Sequence, residues 1–174
     1  MSKLLVVVDY QNDFVSGSLG FDGAEELEDP IKNRVLEYLS AGDDVVYTLD
    51  THKDNYLQSN EGHNLPIEHC IIGTKGHELY GSIKDLLKEK KSFIKYTFGS
   101  KELAEYIGEK KYDEIEFCGL VSNICVISNM VLAKAFSPES RIYVNRKLTG
   151  SNDLEIQEKA FDVIKNLHME VLDE

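Results

Sequence analysis

Between Leu4 and Leu172, short apolar runs of strand character alternate with segments of helical periodicity, and that alternation leaves few folds open. Leu4-Leu5-Val6-Val7-Val8 is continuous rather than alternating, as a strand buried on both faces requires. Asp44 to Leu49, ending at Asp50, reads as a second strand and Ser92 to Tyr96 as a third. Ile115 to Leu120, Arg141 to Val144 and Met169 to Leu172 follow as the fourth, fifth and sixth. Between them Ile31, Val35, Leu36 and Leu39 recur at helical spacing, which predicts a helix over Pro30 to Ala41, N-capped by Asp29 and stopped at Gly42. Further helices are expected at Ile83–Leu87, at Ser100–Gly108 with Ser100 as N-cap, at Asn123–Ala135 and at Leu154–Leu167. This order implies βαβ units. The expected fold class is α/β, a three-layer α/β/α arrangement around a central, mostly parallel sheet. With 174 residues and no repeat or linker, residues 1–174 read as a single domain.

Composition excludes several roles. Charged residues make up 29% and hydrophobic residues 42%, an ordinary globular balance. A formal net charge of −12 disfavours nucleic acid and anionic membrane surfaces as partners. The three cysteines, Cys70, Cys118 and Cys125, are too few and odd in number for a disulfide framework, which points to a reducing cytoplasmic setting. Leu4–Val8 is too short for a signal peptide's apolar region, and no stretch is long enough for a transmembrane helix.

In parallel α/β sheets ligands bind beyond the carboxyl ends of the strands. Asp9, Asp50, Lys95 and the turn from Leu120 to Cys125 all fall at such ends. Cys125 stands where a strand turns into a helix, a place that favours thiolate over thiol, although a lone cysteine is more often a small buried hydrophobe. Asp9 could cap the next segment or act as a general base. Lys95 could lie on the solvent side of an edge strand or pair with Asp9 and help hold the thiolate. The polar stretch from Thr51 to Gly81 is longer than a structureless loop ordinarily is without a function. Together with Asp50 it supplies His52, Glu61, His63 and His69, a mixed carboxylate and imidazole set suited to zinc, iron or manganese. Cys70, beside His69, reads as packing or as a further ligand, and Cys118 as packing.

These residues lie in motifs that resemble those of the isochorismatase-like cysteine hydrolases, and within them the nicotinamidases and pyrazinamidases. Asp9-Tyr10-Gln11-Asn12-Asp13-Phe14 is similar to the family's D-x-Q-N-D-F, and Asp50-Thr51-His52 to its D-x-H. The segment from His69 to Gly76 is similar to H-C-x-x-G-T-x-G, and Ile94-Lys95-Tyr96 to the lysine strand. Gly119 to Val126 resembles the nucleophile turn G-V-x-T-x-x-C-V, with Leu120 and Ser122 as substitutions. The resemblance implies a catalytic triad of Asp9, Lys95 and Cys125. It implies a cis peptide at Leu120–Val121, and an oxyanion hole from the backbone N–H groups of Val121 and Cys125. It also implies a divalent metal, zinc first, held by Asp50, His52 and His69, with Glu61 completing the set and His63 as its rival. The implied reaction is hydrolysis of nicotinamide to nicotinate and ammonia through a thioester on Cys125, as part of NAD salvage. The alternatives are a related hydrolase of another small amide or carbamoyl compound, or of the isochorismate vinyl ether, and a non-enzymatic thiol sensor. A small-molecule amide is thus the expected partner, with a homo-oligomer implied by the family. Many nicotinamidases carry Trp-Pro-x-His-Cys where this chain has Pro66 and Ile67 ahead of His69-Cys70, so the ring contacts are expected from Phe14, with Tyr56 or Tyr96.

Overall fold

In a computed structural model that describes residues 1–173, six strands form one sheet in the order β3-β2-β1-β4-β5-β6. These are β1 Lys3–Val8, β2 Asp44–Asp50, β3 Lys91–Lys95, β4 Glu114–Leu120, β5 Arg141–Gly150 and β6 Glu170–Leu172. Every strand pairing is parallel. β1 lies in the middle, between β2 and β4, which is why it is apolar throughout from Leu4 to Val8. Leu4, Val6 and Val8 pack in one core layer with α5 (Lys101–Lys110), α6 (Ile127–Phe136) and α7 (Leu154–Asn166). Leu5 and Val7 pack in the other with α1 (Asn12–Val15), α2 (Glu28–Ala41) and α4 (Gly81–Leu87). Full burial of each such side chain is worth roughly 1.5–3 kcal/mol.

Strand order dictates where a ligand fits. From β1 the chain runs outward through β2 to β3, then returns to lay β4 against the other side of β1. The order therefore reverses between β1 and β4, and the carboxyl ends of these strands flank a crevice.

Several expected boundaries move. α2 begins at Glu28, because the 3₁₀ turn Glu25–Leu27 runs directly into it. Leu27 is already helical, so Asp29 is a first-turn acid that complements the helix dipole and not the N-cap. Gly42 closes the helix with a left-handed φ of 79°. Ser100 does cap α5, its Oγ accepting the Leu103 N–H at 3.2 Å. The segment expected as one helix from Asn123 starts instead with a π turn over Ser122–Val126, and regular α-helix begins at Ile127. β5 runs on past Val144 to Gly150, with an irregularity in its register opposite Phe117 and Gly119. Residues 51–80 are not structureless: they hold 3₁₀ turns at Tyr56–Gln58 and Lys75–His77 and the short α3, Asn60–Asn64. Among the described residues no helix is long and apolar enough to cross a membrane.

Candidate active site

Asp9 is the first residue beyond β1 and is completely buried. Its φ of 45° is unusual for a side chain with a Cβ and turns the chain sharply out of the strand. One carboxylate oxygen lies 2.6 Å from the Lys95 ammonium, and the other accepts the Thr48 hydroxyl at 2.6 Å. Thr48 Oγ1 in turn accepts the Asp9 N–H at 3.2 Å. Burial raises the Asp9 pKa, and the Lys95 charge offsets this only in part, so the carboxylate keeps a high proton affinity. Lys95, at the end of β3, is only 2% exposed. Its ammonium also meets Asp50 Oδ1 at 3.2 Å, the Thr97 carbonyl at 3.1 Å and Cys125 Sγ at 3.6 Å. Burial opposes that charge, but Asp9, Cys125 and Asp50 outweigh it and hold the lysine protonated.

Cys125 lies inside the π turn after β4 and is buried. The expectation of a favoured thiolate does not hold in the resting site. Burial pushes the thiol pKa well up; Lys95 pulls it down, but Asp9 and Asp50 push the same way as burial. The sulfur is therefore a thiol beside a carboxylate of raised proton affinity. The Leu120–Val121 peptide is cis. Just before it, Gly119 has a φ of 100° and lies so close to the Val8 carbonyl that no Cβ could be accommodated. Cys70 and Cys118 are buried packing residues whose thiols burial also raises.

Beside this group Asp50, His52, Glu61 and His69 converge, with one donor atom of each lying within 4.8 Å of the others. Asp50 Oδ2 is 3.0 Å from His52 Nε2 and 3.4 Å from His69 Nε2. Glu61 Oε1 is 3.6 Å from both. His69 Nδ1 donates to the Ile67 carbonyl at 2.8 Å, which leaves Nε2 as the atom that faces the cluster. Burial opposes a charge on this ring, but its bonds to Asp50 and Glu61 outweigh that and raise its pKa to about 9, so a divalent ion must displace the Nε2 proton. Two imidazole nitrogens and two carboxylates fit a divalent ion of the zinc, iron or manganese type. The Tyr56 ring stands edge-on to both imidazoles, at 4.7 and 5.0 Å. His63 is not brought in: one α3 carries both candidates, and it turns Glu61 inward while His63 stays exposed. Asp50 belongs to both groups, with Oδ1 on Lys95 and Oδ2 on the histidines.

A cavity of about 200 Å³ opens over these atoms. Its floor and walls are Asp50, Glu61, His69, Val121 and Cys125, with Phe14, Leu19, Phe21, Leu65, Phe98, Ile124 and Asn152 around them. It is smaller than the ~300–1,000 Å³ typical for drug-sized ligands and suits a single ring. Phe14 lines this cavity. Tyr96 does not: it is 67% exposed and lines a separate outer cleft with Thr51 and Lys53. Neighbouring residues of an extended chain point to opposite sides, so burying Lys95 sends Tyr96 outward.

The polar residues after Asp9 organise the long loop. Gln11 donates to the Asp50 and His77 carbonyls at 2.9 and 2.8 Å and accepts the Asp50 N–H at 2.9 Å. Asn12 donates to the Lys75 carbonyl, and Asp13 accepts the Cys70 N–H at 2.8 Å, next to His69. Thr48, Gln11 and Asp13 were not singled out in the sequence, where a threonine in mid-strand carries no mark and only the motif hints at the other two.

The isochorismatase domain family matches residues 3–174. Among curated proteins, the isochorismatase family protein PncA of Bacillus subtilis is 29% identical over 163 residues, 87% of each chain. A crystal structure of nicotinamidase PncA from Bacillus subtilis superposes with a TM-score of 0.87 at 27% identity, covering 99% of this chain and all of that one. The pyrazinamidase of Pyrococcus horikoshii, solved in complex with zinc, shares the fold at a TM-score of 0.86 and 21% identity over the full length of both chains.

Proposed function

The chain belongs to the isochorismatase family, and from that premise we propose that it is a metal-containing cysteine amidohydrolase that converts nicotinamide and water to nicotinate and ammonia. One observation carries the reading. A single buried ammonium, Lys95, touches Asp9 at 2.6 Å and Cys125 at 3.6 Å, at the floor of a ring-sized cavity whose wall holds Asp50, Glu61 and His69. The names of the similar proteins, nicotinamidase and pyrazinamidase, support an aromatic amide as substrate.

Asp9 takes the proton of Cys125 as the sulfur attacks the amide carbonyl, while Lys95 offsets the single negative charge as it passes from the carboxylate to the sulfur. The N–H groups of Val121 and Cys125 take the oxyanion, worth roughly 3 kcal/mol per donor. Asp9 then gives its proton to the departing nitrogen, and ammonia leaves a thioester on Cys125. Water attacks that thioester; Asp9 accepts its proton and returns it to the sulfur as nicotinate departs. A raised proton affinity at Asp9 suits a group that must accept a proton and release it in each half of the cycle. A divalent ion held by Asp50, His52, Glu61 and His69 would supply a Lewis-acid site for the ring nitrogen. Phe14 and Phe98 supply apolar walls for the ring. On this reading the chain works in NAD salvage in the cytoplasm, and the family match from 3 to 174 supports one catalytic domain.

The test is ammonia release from nicotinamide by wild type, by Cys125→Ala and by chelator-treated protein. Turnover that disappears in both altered samples supports the full proposal. Loss with alanine alone leaves a cysteine amidase without metal dependence. A folded, zinc-supplied wild type that releases no ammonia removes nicotinamide as substrate.

A further inference from the structure

Asn129 is a 2%-exposed amide in α6, one helical turn after Cys125, and its polar atoms reach two separate segments of chain. Its Nδ2 donates to the Cys125 carbonyl at 2.8 Å and to the Phe98 carbonyl at 3.1 Å. Its Oδ1 accepts the Ser100 N–H at 2.9 Å. The segment it grips, 97–100, is the one that holds the lysine: the Thr97 carbonyl accepts the Lys95 ammonium at 3.1 Å. The same segment supplies the Phe98 ring to the cavity wall. One buried side chain therefore ties the turn that carries the sulfur to the loop that holds the ammonium, across 29 to 31 residues of sequence.

We propose that Asn129 is a positioning residue, which sets the spacing between Lys95 and Cys125 by clamping the 97–100 loop to the nucleophile turn. Its polar groups are directed at backbone atoms on both sides, and none is needed for α6 itself, whose own N–H and carbonyl groups make the helix. A leucine or methionine would fill the same buried volume at lower desolvation cost. A bidirectional buried amide at this point is accounted for by what it aligns. The clamp acts on the triad geometry and not on the ring's recognition. It rests on the reading of Cys125 as nucleophile, and is independent of nicotinamide being the substrate.

The test uses Asn129→Ser and Asn129→Leu. Serine can still bond a carbonyl one turn back in its own helix, so it keeps the local contact and loses the link to the loop. Leucine loses both. The primary readout is the rate at which iodoacetamide alkylates Cys125 at neutral pH, located by mass spectrometry, with melting temperature and circular dichroism as controls. Lys95 is the cation that opposes burial and the carboxylates at this sulfur, so displacing it raises the thiol pKa further and slows alkylation, about tenfold for each unit. Simple loosening of the packing would do the opposite, exposing the sulfur and speeding the reaction. Slower alkylation in a folded Asn129→Ser, with kcat for ammonia release falling alongside, is the expected result. Unchanged or faster alkylation in that variant overturns the proposal, whatever its stability. If Asn129→Leu does not fold, Asn129→Ser decides alone. A wild type that alkylates rapidly at Cys125 yet does not hydrolyse nicotinamide would remove the substrate assignment and leave this inference standing. A folded Asn129→Ser that keeps the wild-type kcat for ammonia release would overturn the clamp by itself.

Discussion

Lys95 stands between Asp9 and Asp50, at 2.6 and 3.2 Å, with almost no access to water. Removing it would strand the fully buried Asp9 carboxylate without a cation and leave Asp50 only its histidines, the costly half of a broken buried pair. Lys95→Met is therefore expected to lose roughly 3–5 kcal/mol in urea unfolding, together with nearly all turnover. Thr48 makes a gentler test of the same group. Its hydroxyl both donates to and accepts from Asp9, so Thr48→Val keeps the shape and removes both bonds. A buried carboxylate oxygen left without its donor costs about 1–3 kcal/mol. Turnover should fall about tenfold as the base loses its fixed orientation, corresponding to ~1.4 kcal/mol in the barrier. A Thr48→Val enzyme with wild-type kcat would show that Asp9 is aligned by Lys95 alone.

The elements explain how a long polar loop holds still enough to present His69. Gln11, Asn12 and Asp13 pin it at Asp50, His77, Lys75 and Cys70, all through backbone groups. Gly76 lies against the Asp13 carboxylate, where a Cβ would collide with it. Gly76→Ala should push Asp13 off the Cys70 N–H, shift His69 and weaken zinc binding about 10–100-fold, as loss of an outer hydrogen-bond partner does at metal sites. Competition against a chromophoric chelator reads that change directly, and an unaltered affinity would show that the loop is held elsewhere. This dependence on backbone bonds also explains what could be read from the chain. The order of strands and helices was legible because β1 is a continuous apolar run from Leu4 to Val8, the other strands are short apolar runs, and the helices carry periodic stripes. The sheet edge where Asp9, Asp50, Lys95 and Cys125 meet followed from that order. The clamps formed by Thr48 and Asn129 were not legible, since each is an unremarkable polar residue whose partners lie about 30 or 40 residues away. Nor was the resting thiol: helix-end electrostatics spoke for thiolate, but burial and two carboxylates decide the other way. His63 and Glu61 could be separated only once α3 fixed which side of the helix faces inward.

At the scale of the whole molecule, Asp50 couples the two halves of the site, because its two oxygens serve different partners: Oδ1 the lysine, Oδ2 the histidines. Asp50 and Glu61 bring two carboxylates together in a protein that already carries a net charge of −12. A divalent ion bound there binds the folded chain alone, since the donors come from β2, the following turn, α3 and the loop before Cys70, and meet only in the fold. Such linkage stabilises by about 4.1 kcal/mol at a thousandfold excess over Kd. In a chain of this size each kcal/mol moves Tm by about 2–4 °C. Zinc added to chelator-stripped protein should therefore raise Tm by on the order of 10 °C. Glu61→Ala removes one of four converging donors and should erase most of that rise, while His63→Ala, on the exposed side of the same helix, should leave it intact. The pair of variants separates a specific site from zinc caught by surface histidines. A rise that survives Glu61→Ala but disappears in His63→Ala would place the ion outside the cluster, and the ring-binding role proposed for that cluster would fall with it.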